Sequence, residues 1–402
     1  MVDSQLFKAN NKHKNIINSY NNNLKSWFLA LLLFLQIPPF YIWGSKIVVL
    51  TVFFCAILFL TEFEFKKKAL ACFISLVLLY FYCGYKNEYN IIGLAFLFCI
   101  PLLFSAKEKL VMNGLEKFVL IYSVALIPSL IVYLLVNVFG ITIPFLVIEP
   151  LNALKSYQYF QYPFLVQEDG LFLILPRFHA YFDEPGVVGT ISGLLLALDK
   201  FNMKKWVNIP ILISGIISFS FVFYCILLVV GFIFLKNKYR IIFVIFLFII
   251  LRLFEGIDEF DQYIYSRFLF EDGELIGDNR TIAEFDIWYN NFKETNDYYW
   301  GMGQNSSLKY NFGGASYKDL IVDFGIIFFI LYCMFFVVLG IVNLGIKKNL
   351  LLALFLFVAV IYQRPFITNF FYAFLMYIPF IYLKPDFCKV NTIIKNEHQG
   401  TG

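Results

Sequence analysis

Charge is scarce in this chain. Asp, Glu, Lys and Arg make up 15% of its 402 residues, against 60% hydrophobic residues and a mean hydropathy of +0.73. That balance excludes an ordinary soluble domain, in which about a quarter of residues are charged. Histidine is almost missing: of three in all, His13 and His398 lie in polar tails, leaving His179 alone in the body of the chain. Six of the seven cysteines lie in or beside apolar stretches and Cys388 lies in the C-terminal tail; no CxxC pair occurs. Neither a disulfide framework nor a zinc site is therefore expected. The chain has no G-x-S-x-G and no H-E-x-x-H, which removes the signatures of a serine hydrolase and a zinc protease. Gly301-Met302-Gly303 is a glycine turn without the strand and helix context of a nucleotide fold. No pair of broken, glycine-rich helices of the kind used by ion-coupled carriers stands out, nor does any repeat or low-complexity tract.

What the chain has instead is apolar runs. Measured against a bilayer core of about 30 Å, they predict spans near 27–43, 46–61, 69–83, 91–105, 117–139, 185–198, 207–218, 221–235, 241–254, 319–345, 349–362 and 366–383. The expected fold class is all-α: a polytopic integral membrane protein of about twelve transmembrane helices, forming one membrane domain over 1–402. The alternative, one long tilted helix over 207–235, would invert every later segment. Lysine decides between them. With twelve spans, Lys66 to Lys68, Lys200, Lys204, Lys205, Lys236, Lys238, Lys347, Lys348, Lys384 and Lys389 all share the side of the N-terminus, which the positive-inside rule makes cytoplasmic. Residues 1–26, polar and without a small-residue cleavage signal, read as an uncleaved cytoplasmic tail, and 384–402 as a second one.

Two long segments fall on the outer side, 140–184 and 255–317. The second holds twelve carboxylates against Arg267, Arg280, Lys293 and Lys309. Within it, Thr281-x-x-Glu284 has the form of a capping box, and Ile282, Phe285, Trp288 and Phe292 fall on one helical face. A short amphipathic helix lying on the outer membrane surface is expected.

The two basic residue types divide differently. On this topology 20 of 26 lysines are cytoplasmic, whereas five of six arginines, Arg177, Arg252, Arg267, Arg280 and Arg364, lie at or beyond the outer face, with only Arg240 inside. Lysine sets orientation; the guanidinium fork, bidentate towards phosphate oxygens, gathers on one surface. An anionic ligand there accounts for the pattern. For Arg252 snorkelling at a helix end is the simpler reading, and pairing with the acidic loop competes at Arg267. Arg177, Arg280 and Arg364 stand closer to apolar spans, where a charge is costly and more often functional.

An arginine, a histidine, two carboxylates and a Pro-Gly turn are packed into R-F-H-A-Y-F-D-E-P-G-V-V-G-T, Arg177 to Thr190. Pro185-Gly186 reads as a helix start, and Asp183 or Glu184 would sit at its N-terminus as a cap. That leaves Arg177, His179 and a second carboxylate unexplained. Together they could bind a phosphate and remove a proton from a hydroxyl, with Glu184 ranked above His179 as the base. Tyrosines and tryptophans of the outer segments fit an interfacial belt, or stacking on sugar rings.

This stretch leading into a span, the later Arg280 to Trp300-Gly-x-Gly segment, and Asp323-Phe-Gly-Ile-Ile within a reopening span together resemble the O-antigen polymerases of the Wzy type, within the O-antigen polymerase and ligase superfamily. The resemblance covers the plan of the chain and implies a GT-C-like polymerase/ligase architecture with one large external loop in a bacterial inner membrane. It implies a metal-independent glycosyltransferase with no cofactor. Catalytic roles would fall to Arg177, Glu184 and His179, and pyrophosphate binding to Arg177, Arg280, Arg267 and Arg364. Its partners would be a polyprenyl-pyrophosphate-linked oligosaccharide and membrane lipid, with room for a chain-length regulator and none for nucleic acid. The chain departs from the paired R-x(10)-G pattern of some members: eleven residues after Arg177 stands Val188, with Gly189 next. Ligases of the superfamily use a histidine in the large external loop, and 255–317 has none. A lipid-linked oligosaccharide flippase, a transporter, an O-antigen ligase and a non-catalytic envelope assembly protein are the competing readings.

Overall fold

The computed structural model describes residues 21–37, 44–86, 91–149, 158–168, 176–234, 283–310 and 316–384, with isolated positions between 239 and 275. These residues are mostly helical. Helix α1 covers 21–35, followed by α2 (Ser45–Thr61), α3 (Lys67–Lys86), α4 (Ile91–Ser105) and α5 (Glu108–Asn137). Then come α6 (Pro185–Leu198), α7 (Asn208–Ile217), α8 (Phe221–Phe234) and the shorter α9 (Ala283–Phe292), α10 (Asp297–Trp300) and α11 (Ser306–Lys309). The chain closes with α12 (Tyr317–Leu344), α13 (Lys348–Gln363) and α14 (Phe370–Tyr382). Apart from 241–254, of which only scattered positions are described, and 27–43, which α1 overlaps only over 27–35, each predicted span overlaps a helix along most of its length. Helix α14 starts four residues late because Arg364 to Asn369 turn outside it, and Asn369 Oδ1 caps it by accepting from Phe371 N (3.0 Å) and Tyr372 N (3.3 Å).

By length and composition α3, α5 and α12 can each cross a membrane, while α2, α6, α7, α8, α13 and α14 are apolar but shorter. This is the composition of a membrane-embedded protein. Residues 207–235 form two helices, divided at 218–220 where Phe219 adopts a left-handed φ of 45°. At 1.5 Å per residue α7 rises only about 15 Å, half the thickness of a bilayer core. Its C-terminal turn therefore ends within the depth that the longer helices cover.

The packing centre is α6, all fourteen residues of which are buried. Its small residues let neighbours approach closely: a Cβ added at Gly189 would meet Ser220 Cβ at 2.1 Å, and one at Gly193 would meet Ile226 Cδ1 at 3.0 Å. Tyr122 of α5 reaches the same helix, its hydroxyl 3.4 Å from Ser192 Oγ.

Two corrections concern the long segments. The all-α expectation fails in 140–184, where β1 (Leu146–Ile148), β2 (Tyr159–Tyr162) and β3 (Leu165–Glu168) form an antiparallel sheet of order β1-β2-β3, with Tyr159 opposite Glu168. Tyr-Phe-Gln-Tyr and Leu-Val-Gln-Glu are short runs of strand-forming residues around the turn at 163–164, and a search for span-length apolar runs passes over them. A second pair, β4 (Phe270–Glu271) and β5 (Glu274–Leu275), lies in the acidic segment. The amphipathic helix there is α9, but its apolar face is covered by protein: Phe285, Tyr289 and Phe292 are buried and cluster with Ile321 and Val322 of α12. Thr281 and Ile282 of the expected capping box lie outside the described residues.

The helix ends sort by charge. At one end Lys25 and Lys107 pair with Glu62 (2.9 Å for Lys107), Lys384 pairs with Glu108, and Lys68 donates to Asn343. This is the lysine end, and it joins the ends of α1, α2, α3, α5, α12 and α14. Burial alone would raise the Glu62 carboxyl, but the hydrogen bonds and charges of Lys25 and Lys107 outweigh it and hold the group below its ordinary value of 4.5. A carboxyl depressed in the folded state adds stability above its unfolded pKa, and that contribution is lost as pH falls through the folded one. Glu62→Gln is thus expected to lower the thermal midpoint of the solubilised protein at pH 7 and to flatten its decline below pH 4.5. Thermal melts of both proteins across pH check this, and an unchanged acid limb would refute it.

Candidate functional site

The opposite end carries the candidate site, built around the start of α6. The segment before it folds back on itself at 179–182, where Phe182 N–H donates to His179 O (3.0 Å) and Ala180 takes a φ of 52°. The sheet fixes this turn from outside: Val166 N–H donates to Ala180 O (2.7 Å), and the Tyr159 hydroxyl donates to Asp183 O (2.9 Å). His179 completes the anchorage. It is fully buried, with Nδ1 3.2 Å from Asp183 O, Nε2 3.4 Å from Glu168 Oε1 and the Tyr159 ring edge-on at 5.9 Å. The one histidine in the body of the chain thus ties β2, β3 and the α6 entrance together.

Pro185 opens α6 in its first turn, as the sequence predicts, and Glu184 stands at the N-cap with extended backbone (φ −135°, ψ 135°). Glu184 itself makes no side-chain cap hydrogen bond to α6. The Glu184 carboxylate turns instead to Arg364, with Oε2 2.5 Å from Nη2. Arg364 terminates α13, its N–H donating to Val360 O (2.7 Å), and only 3% of the residue is exposed. A Cβ at Gly186 would lie 2.9 Å from Arg364 Nη2 and 2.5 Å from Gln363 Nε2. Glycine is what lets the guanidinium lie against the first turn of α6.

That placement sets two positive ends together, a cation and a helix N-terminus. Burial pulls the Arg364 guanidinium down, yet the Glu184 charge and hydrogen bond, helped by Asp183, hold its pKa above the ordinary value. The partners differ in access: the Arg364 side chain is 4% exposed and that of Glu184 33%. The acid faces the open side, and the base lies beneath it.

Arg177 is committed elsewhere. Its Nε donates to Ser218 O (3.2 Å) and its Nη2 to Phe219 O (3.4 Å), and Phe178 N–H donates to Ile217 O (3.0 Å). These are the terminal carbonyls of α7, which need donors and favour a cation. Because the 218–220 turn packs on Gly189, one turn along α6 from Gly186, Arg177 and Arg364 are anchored against successive turns of the same helix. The structure therefore brings together Glu184, Arg364, Arg177 and His179 from the residues expected in the site. Arg267 and Arg280 lie outside the described residues, and Arg252 is exposed.

The remaining motifs meet beside this cluster. Helix α12 is broken at Gly325 (φ 87°, ψ 159°), and the Trp300 to Gly303 segment occupies the break. Met302 N–H donates to Val322 O (2.8 Å), Gly303 N–H to Asp323 O (2.9 Å) and Ser306 N–H to Asp323 Oδ1 (3.2 Å). Lys86 at the end of α3 donates to Gly301 O (2.7 Å), and Gln304 donates to Thr368 Oγ1 (3.2 Å), four residues beyond Arg364. Sequence reading saw W-G-x-G and D-F-G as separate motifs. Their pairing was hidden, because two glycines that each admit the other's backbone leave no trace in local spacing.

Among the described residues no three His, Cys, Asp or Glu side chains are grouped so that they could hold a metal ion. Comparison with known proteins finds no family model, no curated protein and no solved structure that matches this chain.

Proposed function

We propose that this protein is a membrane glycosyltransferase of the Wzy type, with about twelve spans and a GT-C-like plan. It would extend a surface polysaccharide on the outer face of a bacterial inner membrane. Its donor is a growing glycan on polyprenyl pyrophosphate, and its acceptor is the non-reducing-end hydroxyl of a lipid-linked repeat unit. The observation that carries this reading is the Arg364–Glu184 pair at the start of α6.

A buried guanidinium beside a helix N-terminus is a site for an anion, held here by the Glu184 carboxylate. A pyrophosphate entering there takes over Arg364 beside the first turn of α6, and Glu184, one-third exposed, is released to accept a proton. In the transfer, the acceptor hydroxyl oxygen attacks the anomeric carbon of the donor. The bond to the pyrophosphate oxygen breaks with its electron pair, and the hydroxyl proton passes to Glu184. The charge that develops on the leaving group is stabilised at Arg364. His179, fully buried against the sheet, holds the entrance in shape, and Arg177 fixes the α7 end beside it. Arg267 and Arg280 are further pyrophosphate contacts on the strength of the family resemblance.

A second reading has one observation in its favour. The break in α12 at Gly325 is of a kind found in carriers, which suits a lipid-linked oligosaccharide flippase. Purified protein given lipid-pyrophosphate repeat units, without nucleotide or metal, separates the two: a polymerase yields multimers and a flippase does not. Glu184→Gln is expected to slow multimer formation at least about a hundredfold, the scale of a lost general base. Arg364→Lys, which keeps the charge but not the fork, is expected to leave mostly single-repeat product. Wild-type ladders from both would sink the assignment.

A further inference from the structure

The lysine end contains a cavity of about 500 Å³ between α3, α4, α5, α12 and α14, far from the Arg364 cluster. Lys66, Lys68, Lys107 and Lys109 line it against two carboxylates, Glu64 and Glu108, and Phe104, Leu339 and Tyr377 form apolar wall. Its carboxylates are already engaged, Glu64 with Lys66 and Glu108 with Lys384, while Lys107 pairs with Glu62 outside the lining. Lys68 donates to Asn343 Oδ1, a neutral amide oxygen, and lies close enough to Lys384 to be repelled by it. The first turns of α3 and α5 both reach the cavity through Lys68 and Ala69 and through Glu108 and Lys109, adding two helix N-termini to its positive field. At α5 the N-cap position is held by Lys107, which has no acceptor, and no side chain caps the helix.

A cavity with excess cations, two helix N-termini and one missing cap lacks an anion, and its partly apolar wall at the edge of the helix bundle suits an amphiphile. We infer that it binds a phosphate group, carried either on the headgroup of an anionic phospholipid or by free phosphate. This site is independent of the glycosyltransferase reading.

The test uses the full-length protein purified in detergent, titrated with phosphatidylglycerol, with phosphatidylcholine and with inorganic phosphate. Bound lipid is counted by native mass spectrometry and stability is followed by thermal melting. Phosphatidylglycerol retained and stabilising while phosphatidylcholine is not assigns a lipid headgroup; stabilisation by inorganic phosphate alone assigns the free anion. Lys68→Gln with Lys109→Gln is expected to weaken this binding roughly 30-fold, at about 1 kcal/mol per lysine. The control pair Lys204→Gln with Lys347→Gln removes the same charge elsewhere at the lysine end and is expected to leave binding unchanged. Equal retention of both lipids with no phosphate effect, or equal losses from the two double variants, would overturn the site.

Discussion

Glu184→Ala is expected to destabilise the protein by about 3 kcal/mol or more, and Arg364→Met by only about 1 kcal/mol, although the two side chains form one ion pair. The asymmetry follows from burial. Removing Glu184 strands a guanidinium that is 4% exposed beside a helix N-terminus, whereas removing Arg364 leaves a carboxylate that is one-third exposed and can turn to water. Once Arg364 is gone, Glu184 has little left to neutralise, so Glu184→Ala with Arg364→Met is expected to recover most of what Glu184→Ala loses. Thermal unfolding of the four proteins in one detergent completes the cycle. Equal costs for the single variants, or additive losses in the double, would show that Arg364 is not the uncompensated charge on which the proposed anion site depends.

Gly325→Ala is the second large effect. Gly325 combines φ 87° with ψ 159°, a region that only glycine occupies freely. An added Cβ would also lie 2.2 Å from the Tyr299 carbonyl oxygen and 2.8 Å from Gly301 N, backbone atoms that cannot rotate away. Strain of about 1–3 kcal/mol adds to that clash, and the expected relief is expulsion of the Trp300 to Gly303 segment from the break. Protease cleavage near 300–306 should then rise at least about tenfold while the bundle survives, since the lost contacts are local. Gly345→Ala serves as control: its φ is also positive, at 65°, but nothing lies within 4 Å of the added Cβ. Similar cleavage of both variants would mean that the clasp contributes no more than ordinary backbone strain.

Much of the architecture was legible in the residues themselves. An apolar run is a local property with a length set by the bilayer, so α4 and α6 emerge at their predicted bounds. The division of 207–234 into two helices agrees with the reading that lysine placement favoured. The start of α6 at Pro185 could be read from residue type, since proline suits the first turn of a helix. The sheet at 146–168 was not, because four-residue strands carry too weak a pattern to register among apolar helices. Nor was the covering of α9: an amphipathic face has the same sequence whether lipid or Ile321 and Val322 lie against it.

Partnership was decided only in three dimensions. By sequence, Arg177 looked like the first claimant to a ligand and Arg364 like an outlying fourth, 187 positions further along the chain. Folding reversed their order. Arg177 spends donors on the carbonyls that end α7, while Arg364 is carried by α13 to Glu184, through a gap that exists because residue 186 has no side chain. Residue type determined that this chain is a helical, membrane-embedded protein in which arginines are scarce. Tertiary structure decided which of them is buried in direct contact with a carboxylate, because the electrostatic cost of a charge depends on what surrounds it, and those surroundings come from segments far apart in the chain.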